Sequence, residues 1–257
     1  MSVPALFSPE LEVADRPMLT FYDDRTGERR DLTAAALGEL AGRVARLLRE
    51  GCGLRAGARV AVKVPPHWQT AAVILGAWSV GAALSFRLSA TAGLKALDST
   101  DGELLDAVFV ERTRLDDWLD EVPDARHRFV LGLAPGGAPL ADVPDGYRDL
   151  VTEMASYPGT LPAYGLVRPS DAASADGTSF GAWGRLAGEI AARWDLHPGD
   201  RVLIDANENE HPFKWLLTPL SVGATVVLCA NLDRDGLDAR IAAERVTRVM
   251  ADSVTEA

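Results

Sequence analysis

Cysteine is scarce in this 257-residue chain. There are two, Cys52 and Cys229, with no C-x-x-C spacing and no cluster. That excludes a disulfide framework and a structural zinc site, and it makes a reduced cytoplasm the expected compartment. Basic residues are outnumbered: 26 Lys and Arg stand against 37 Asp and Glu, a net charge of −11. A duplex nucleic-acid binder needs a basic face, so neither DNA nor RNA is an expected partner. An anionic membrane surface is disfavoured on the same ground. No uncharged apolar run is long enough to span a bilayer, so no transmembrane helix is expected. The opening MSVPALFSPELEV has no basic segment ahead of an apolar run, so no secretory signal is expected. What is there is an ordinary globular composition, 47% hydrophobic and 25% charged. The length is near the upper size for one core and comfortable for two small α/β units.

The chain states one pattern twice. Residues 54–86 read LRAGARVAVKVPPHWQTAAVILGAWSVGAALSF, and residues 196–228 read LHPGDRVLIDANENEHPFKWLLTPLSVGATVVL. At a constant offset, Leu54 matches Leu196, Gly57 matches Gly199, Arg59 matches Arg201 and Val60 matches Val202. Ser79-Val80-Gly81-Ala82 likewise matches Ser221-Val222-Gly223-Ala224. Each copy reads as turn, strand, loop, helix, turn, strand. That spacing predicts a right-handed βαβ unit with parallel strands.

The rest of the chain fits around these units. Residues 18–32 predict a hairpin turning at Asp24-Arg25-Thr26-Gly27. Thr33 is the expected N-cap of an amphipathic helix that ends at Gly51 and Gly53. Short helices are expected at 92–98 and 114–121, and strands at 107–110 and 128–133. The alternation of β and α implies a parallel sheet covered by helices. Residues 134–169, with Pro135, Pro139, Pro144, Pro158, Pro162 and Pro169, read as a connection that is helical only near 147–155. Ser179 then caps a helix over 182–194, where WGRLAGEIA repeats the LGELAGRVA of residues 37–45. Strands are expected at 201–205, 225–229 and 246–250, and helices at 212–222 and 237–245.

LTAAALGELAGRVARLL, GLRAGARVAVKVP and VILGAWSVGAAL together resemble the opening of the adenylate-forming, AMP-binding superfamily of acyl-CoA synthetases and adenylation domains. The resemblance resumes at 124–131, 147–150, 167–171 and 197–228. It implies an α/β fold of two related parallel-sheet subdomains with helices on both faces. Residues 54–195 would form the first. Residues 1–53 would join 196–257 in the second.

In that superfamily a Ser/Thr/Gly-rich loop with a lysine holds the ATP phosphates on backbone amides. Here the matching stretch, RPSDAASADGTSFG over 168–181, has no lysine, and Asp176 would repel phosphate. Gly177, Thr178 and Ser179 read either as a remnant of that loop or as a turn and helix cap. GTSFG also fits G-x-S-x-G, but SDAASAD is not the buried strand a nucleophile elbow needs. The superfamily's later motifs, including its ribose-binding aspartate and catalytic lysine, have no counterpart in the sequence. The most unusual loop is DANENEH, residues 205–211, at the C-terminal end of a predicted parallel strand, where open α/β sheets bind ligands. Asp205, Asn207, Asn209 and His211 are candidate ligand-binding residues there. The resemblance puts His211 within one residue of a histidine near an acyl pocket. The alternative is a solvated loop capping a helix at Pro212. His67 holds the same place in the first copy and is read as surface or partly packed. His127 and His197 are read as turn residues, and Trp68, Trp78, Trp183, Trp194 and Trp215 as core or interface. The expectation is a degenerate, non-catalytic relative that binds a small ligand or a protein partner. The alternative is an AMP-forming acid–CoA ligase with an atypical ATP site. ATP, AMP or CoA is a possible ligand by resemblance only, and a homodimer or heteromer a plausible state.

Overall fold

The structure, a computed structural model, describes residues 17–88, 104–116, 121–159 and 167–250. Leu19–Asp23 (β1) and Glu28–Leu32 (β2) form the expected hairpin. Thr33 caps Ala34–Arg46 (α1), its Oγ1 accepting the Ala36 amide at 3.1 Å. The helix closes differently from the sequence expectation. Its last turn, Leu47–Gly51, is a π-turn, in which Cys52 N donates to Leu47 O at 2.9 Å. Leu47 and Leu48 both stay buried through this wider turn, and Gly53 then leaves at φ +70°.

Arg59–Lys63 (β3), Trp68–Ser79 (α2) and Ala83–Phe86 (β4) make the first βαβ unit. The strands pair in parallel, Val60 beside Leu84. Sequence periodicity gives α2 one apolar face, but every residue of it is buried. Leu105–Glu111 (β5) and Ala125–Leu131 (β6) follow. β6 begins earlier than expected, so His127 lies in a strand and not in a turn. The helix expected at 92–98 lies outside the described residues. Of the one expected at 114–121, the described part is a short 3-10 turn, Arg112–Asp116. Arg148–Asp149 (β7) leads into Leu150–Ala155 (α3), capped by Asp149 Oδ1. Sheet order is β4-β3-β5-β6-β7, parallel throughout.

Phe180–Arg193 (α4) is capped by Ser179, whose Oγ accepts the Ala182 amide at 3.2 Å. Arg201–Asp205 (β8) begins the second βαβ unit. The helix expected at 212–222 divides into a π-turn, Phe213–Leu217, and Thr218–Ser221 (α5). Pro219 has no amide to donate, which interrupts a regular α ladder there. Thr225–Ala230 (β9), Leu237–Glu244 (α6) and Arg248–Met250 (β10) complete the chain. The second sheet runs β10-β8-β9-β1-β2, parallel except for the hairpin.

The two βαβ units close the same bonds. Gly57 N donates to Gly81 O at 2.8 Å, and Gly199 N to Gly223 O at 3.2 Å. All four glycines have positive φ, between +76° and +87°, a region that side chains strain to enter. One hydrophobic core joins both sheets. α1 lies directly on α2, and the crossing is tight at Gly76. A Cβ there would stand 2.5 Å from Ala41 O and 2.7 Å from Val44 Cβ.

Candidate functional site

Residues 171–181 fold back on themselves. Ala172 and Ser179 form an antiparallel bridge, and Ala173 N donates to Thr178 O at 2.8 Å. Gly177 N donates to Ser174 O at 3.0 Å, and Phe180 N to Asp171 O at 3.0 Å. Asp176 Oδ1 accepts the Ser174 hydroxyl at 2.6 Å and the Thr178 amide at 2.9 Å. Those bonds, the Ser174 hydroxyl foremost, hold the Asp176 carboxyl below the usual carboxylate range. A phosphate cradle needs amides that point at the ligand and no fixed anion among them. The amides of Gly177 and Thr178 already have partners, and Ser179 Oγ is the helix cap. This segment does not fit ATP phosphates.

The segment joins the first sheet by a single parallel bridge between Ser174 and Leu84. Two tryptophans fix it. Trp78 Nε1 donates to Ala173 O at 2.8 Å, and Trp183 Nε1 to Ser174 Oγ at 3.1 Å.

The loop after β8 separates the other candidates. Asp205 is buried, and its Oδ1 accepts the Asn207 amide at 2.9 Å while Oδ2 lies 3.6 Å from Arg234. Asn209 is buried too, and its side-chain amide donates to Asp205 O at 3.1 Å and Met250 O at 3.5 Å. Asn207 is exposed. Asp205 and Asn209 therefore shape the loop and tie it to β10. His211 faces elsewhere and makes no pair with Asp205. Its ring stacks on Trp183, centroids 5.7 Å apart, and meets Phe86 edge-on at 5.4 Å. Phe213 closes on Trp183 at 5.2 Å, and Trp78 on Trp183 at 5.7 Å. The Phe213 amide donates to His211 Nδ1 at 3.2 Å, so the neutral ring carries its proton on Nε2. Burial first, and Lys214 second, push the imidazole below its ordinary value. Among the described residues Nε2 has no hydrogen-bond partner.

His67 takes the same capping role before α2. Its Nδ1 accepts the Gln69 amide at 3.1 Å. It is buried rather than at the surface, edge-on to Phe21, with Nε2 3.8 Å from Glu28 Oε2. Glu28 Oε1 accepts Trp68 Nε1 at 3.2 Å and the Gly136 amide at 3.0 Å. This polar contact between the sheets was not among the sequence candidates. Its one sequence signal was the equivalence of the His67 and His211 loops. Among the described residues no three His, Cys, Asp or Glu gather as a metal site. No helix there is long and apolar enough to cross a membrane.

Two largely parallel sheets with helices match the fold of solved acyl-CoA synthetases. The AMP-binding enzyme family matches residues 10–95. A TIGR03089 family protein of Mycobacterium tuberculosis is 32% identical over 236 residues, 91% of each chain. With that relative the chain belongs to the TIGR03089 family, and over residues 10–95 it matches the AMP-binding enzyme family. Among solved structures it resembles acetoacetyl-CoA synthetase from Streptomyces lividans, with TM-score 0.69 and 20% identity over 97% of this chain and 42% of that one. It also resembles a Brucella canis acyl-CoA synthetase, with TM-score 0.68 and 18% identity over 97% of this chain and 47% of that one. The chain spans less than half the length of these two enzymes, and at such identity the likeness is one of fold.

Proposed function

We propose that this chain is a non-catalytic member of its superfamily that binds a small, largely apolar ligand against the wall of Phe86, Trp183, His211 and Phe213. The observation that carries this reading is the self-satisfied turn at 171–181, with the Asp176 carboxylate at its centre. Neutral His211, with Nε2–H unpartnered among the described residues, offers a donor beside the apolar wall, a pairing that orients ligands in concave sites. The division into units of 54–195 and of 1–53 with 196–257 belongs to the same reading, as does a reduced cytoplasmic location.

Thermal denaturation with small aromatic and aliphatic acids, AMP, ATP and CoA tests it. A ligand specific for the native state raises apparent stability. An acid is expected to raise Tm in the native protein and not in His211→Ala, while ATP does nothing. If every small molecule leaves Tm unchanged, the small-ligand reading fails and a protein partner takes its place.

The second reading is an AMP-forming acid–CoA ligase with an atypical ATP site. What favours it is the place of His211, at the C-terminal edge of a parallel sheet in a chain whose superfamily consists of such ligases.

A further inference from the structure

We infer that the hollow at the opposite, N-terminal edge of the first sheet binds a small oxyanion, the phosphate or carboxylate group of a metabolite. The hollow has a volume of about 340 Å³ and is lined by the turn at 52–58 and by Asp106, Arg126 and His127. These residues stand where β3, β5 and β6 begin. The loops carrying His67 and His211 stand where parallel strands end, so this is a separate place.

Its walls are basic in a chain of net charge −11. Arg55 and Arg126 line it with one carboxylate, Asp106. That carboxylate is engaged, since Oδ2 accepts the Arg59 amide at 2.9 Å and Oδ1 lies 3.3 Å from Arg126. The Arg126 side chain keeps 65% of its exposure, which leaves its other donors facing solvent. Behind the wall Arg148 lies over the Phe129 ring at 4.5 Å and is paired with Glu153 at 3.0 Å. Its Nη2 donates to His127 Nδ1 at 3.1 Å and stands 3.6 Å from Cys52 Sγ. A guanidinium can only donate, so His127 is neutral with its proton on Nε2. Burial and the Arg148 charge keep it below its ordinary value, against a hydrogen bond from its N–H to the Cys52 backbone. The forks of Arg55 and Arg126 are donors of the kind that recognises planar or tetrahedral oxyanions.

The fold does not require this wall. The second βαβ unit closes the same turn with Thr247, whose Oγ1 accepts the Arg201 amide at 3.0 Å. Beside it stand Asp200 and Asp195, the latter paired with Arg248 at 3.2 Å, and His197 takes the place of Arg55. Arg201, the match of Arg59, is buried against Glu244.

Cys52 lines the hollow and Cys229 is buried, so thiol labelling reports on this place. The test is the rate at which an uncharged aromatic disulfide labels Cys52, with inorganic phosphate, acetate or chloride at equal ionic strength. Cys52→Ser identifies the signal. Bound oxyanion is expected to slow labelling about threefold at about twice its Kd, by simple occupancy. Protection by phosphate alone assigns a phosphate group, and protection by acetate alone assigns a carboxylate. Arg126→Ala, at an exposed position, is expected to keep its Tm and lose the protection. If neither anion slows labelling beyond chloride, or if Arg126→Ala is protected as well as the native protein, the inference is wrong.

Discussion

Glu28 and His67 are 39 residues apart and meet only because the hairpin of one sheet reaches the helix cap of the other. Burial pushes the Glu28 carboxyl up, but His67, the Gly136 amide and Trp68 more than offset it, and its value is low. Burial holds His67 below its ordinary value despite the carboxylate beside it. The sign follows from linkage. Below about pH 6.5 the unfolded chain takes up a proton on this imidazole that the folded chain resists, so stability falls as pH drops from 7 towards 5. His67→Asn keeps a capping acceptor and removes the titration. Its denaturant midpoint is expected to fall less between pH 7 and pH 5 than that of the native protein, and parallel curves would contradict the assignment. At this scale the sequence was least legible. It gave no sign that His67 and Glu28 meet, nor that His211 would turn from Asp205 to Trp183, because such contacts depend on how the sheets close together.

Caps, strands and turns depend on a few neighbouring residues, and here the sequence was most readable. Thr33 and Ser179 both accept the amide three residues on, as their types demand. Ser179→Ala is expected to cost about 1 kcal/mol, a loss of about 2–4 °C in Tm for a chain of this size. Ser179→Asn should restore most of it in the same melting experiment. The π-turns at Leu47–Gly51 and Phe213–Leu217 were illegible, since a leucine pair satisfies an α or a π ladder equally well. The closeness of α1 and α2 was also hidden in a glycine that looked like one residue of an apolar face. Gly76→Val is expected to force the helices apart and cost about 1–3 kcal/mol, read as a lower denaturant midpoint. An unchanged midpoint would mean the helices do not cross where the structure places them.

For the whole molecule, the βαβ spacing predicted parallel strands and the resemblance implied two sheets, and both are present. Among the described residues each sheet ends in edge strands, β10 and β2 on one and β4 and β7 on the other, with β4 covered in part by residues 173–175. Sheet edges invite pairing, so we expect a dimer or a complex with another chain, and a monodisperse monomer by light scattering would count against it. The sequence foretold the superfamily through its scaffold residues, the glycine turns and the capped helices. It left Gly177, Thr178 and Ser179 open between a remnant of the phosphate loop and a turn with a helix cap. In the structure Ser179 caps α4, and the segment's amides are turned to its own carbonyls and to Asp176. The most direct test of that claim is acid-dependent ATP–pyrophosphate exchange by the folded protein, across a panel of aliphatic and aromatic acids. We predict no exchange above background with any acid, while a ligand acid still raises Tm. Exchange that depends on an added acid would contradict the account and make this chain an adenylating enzyme.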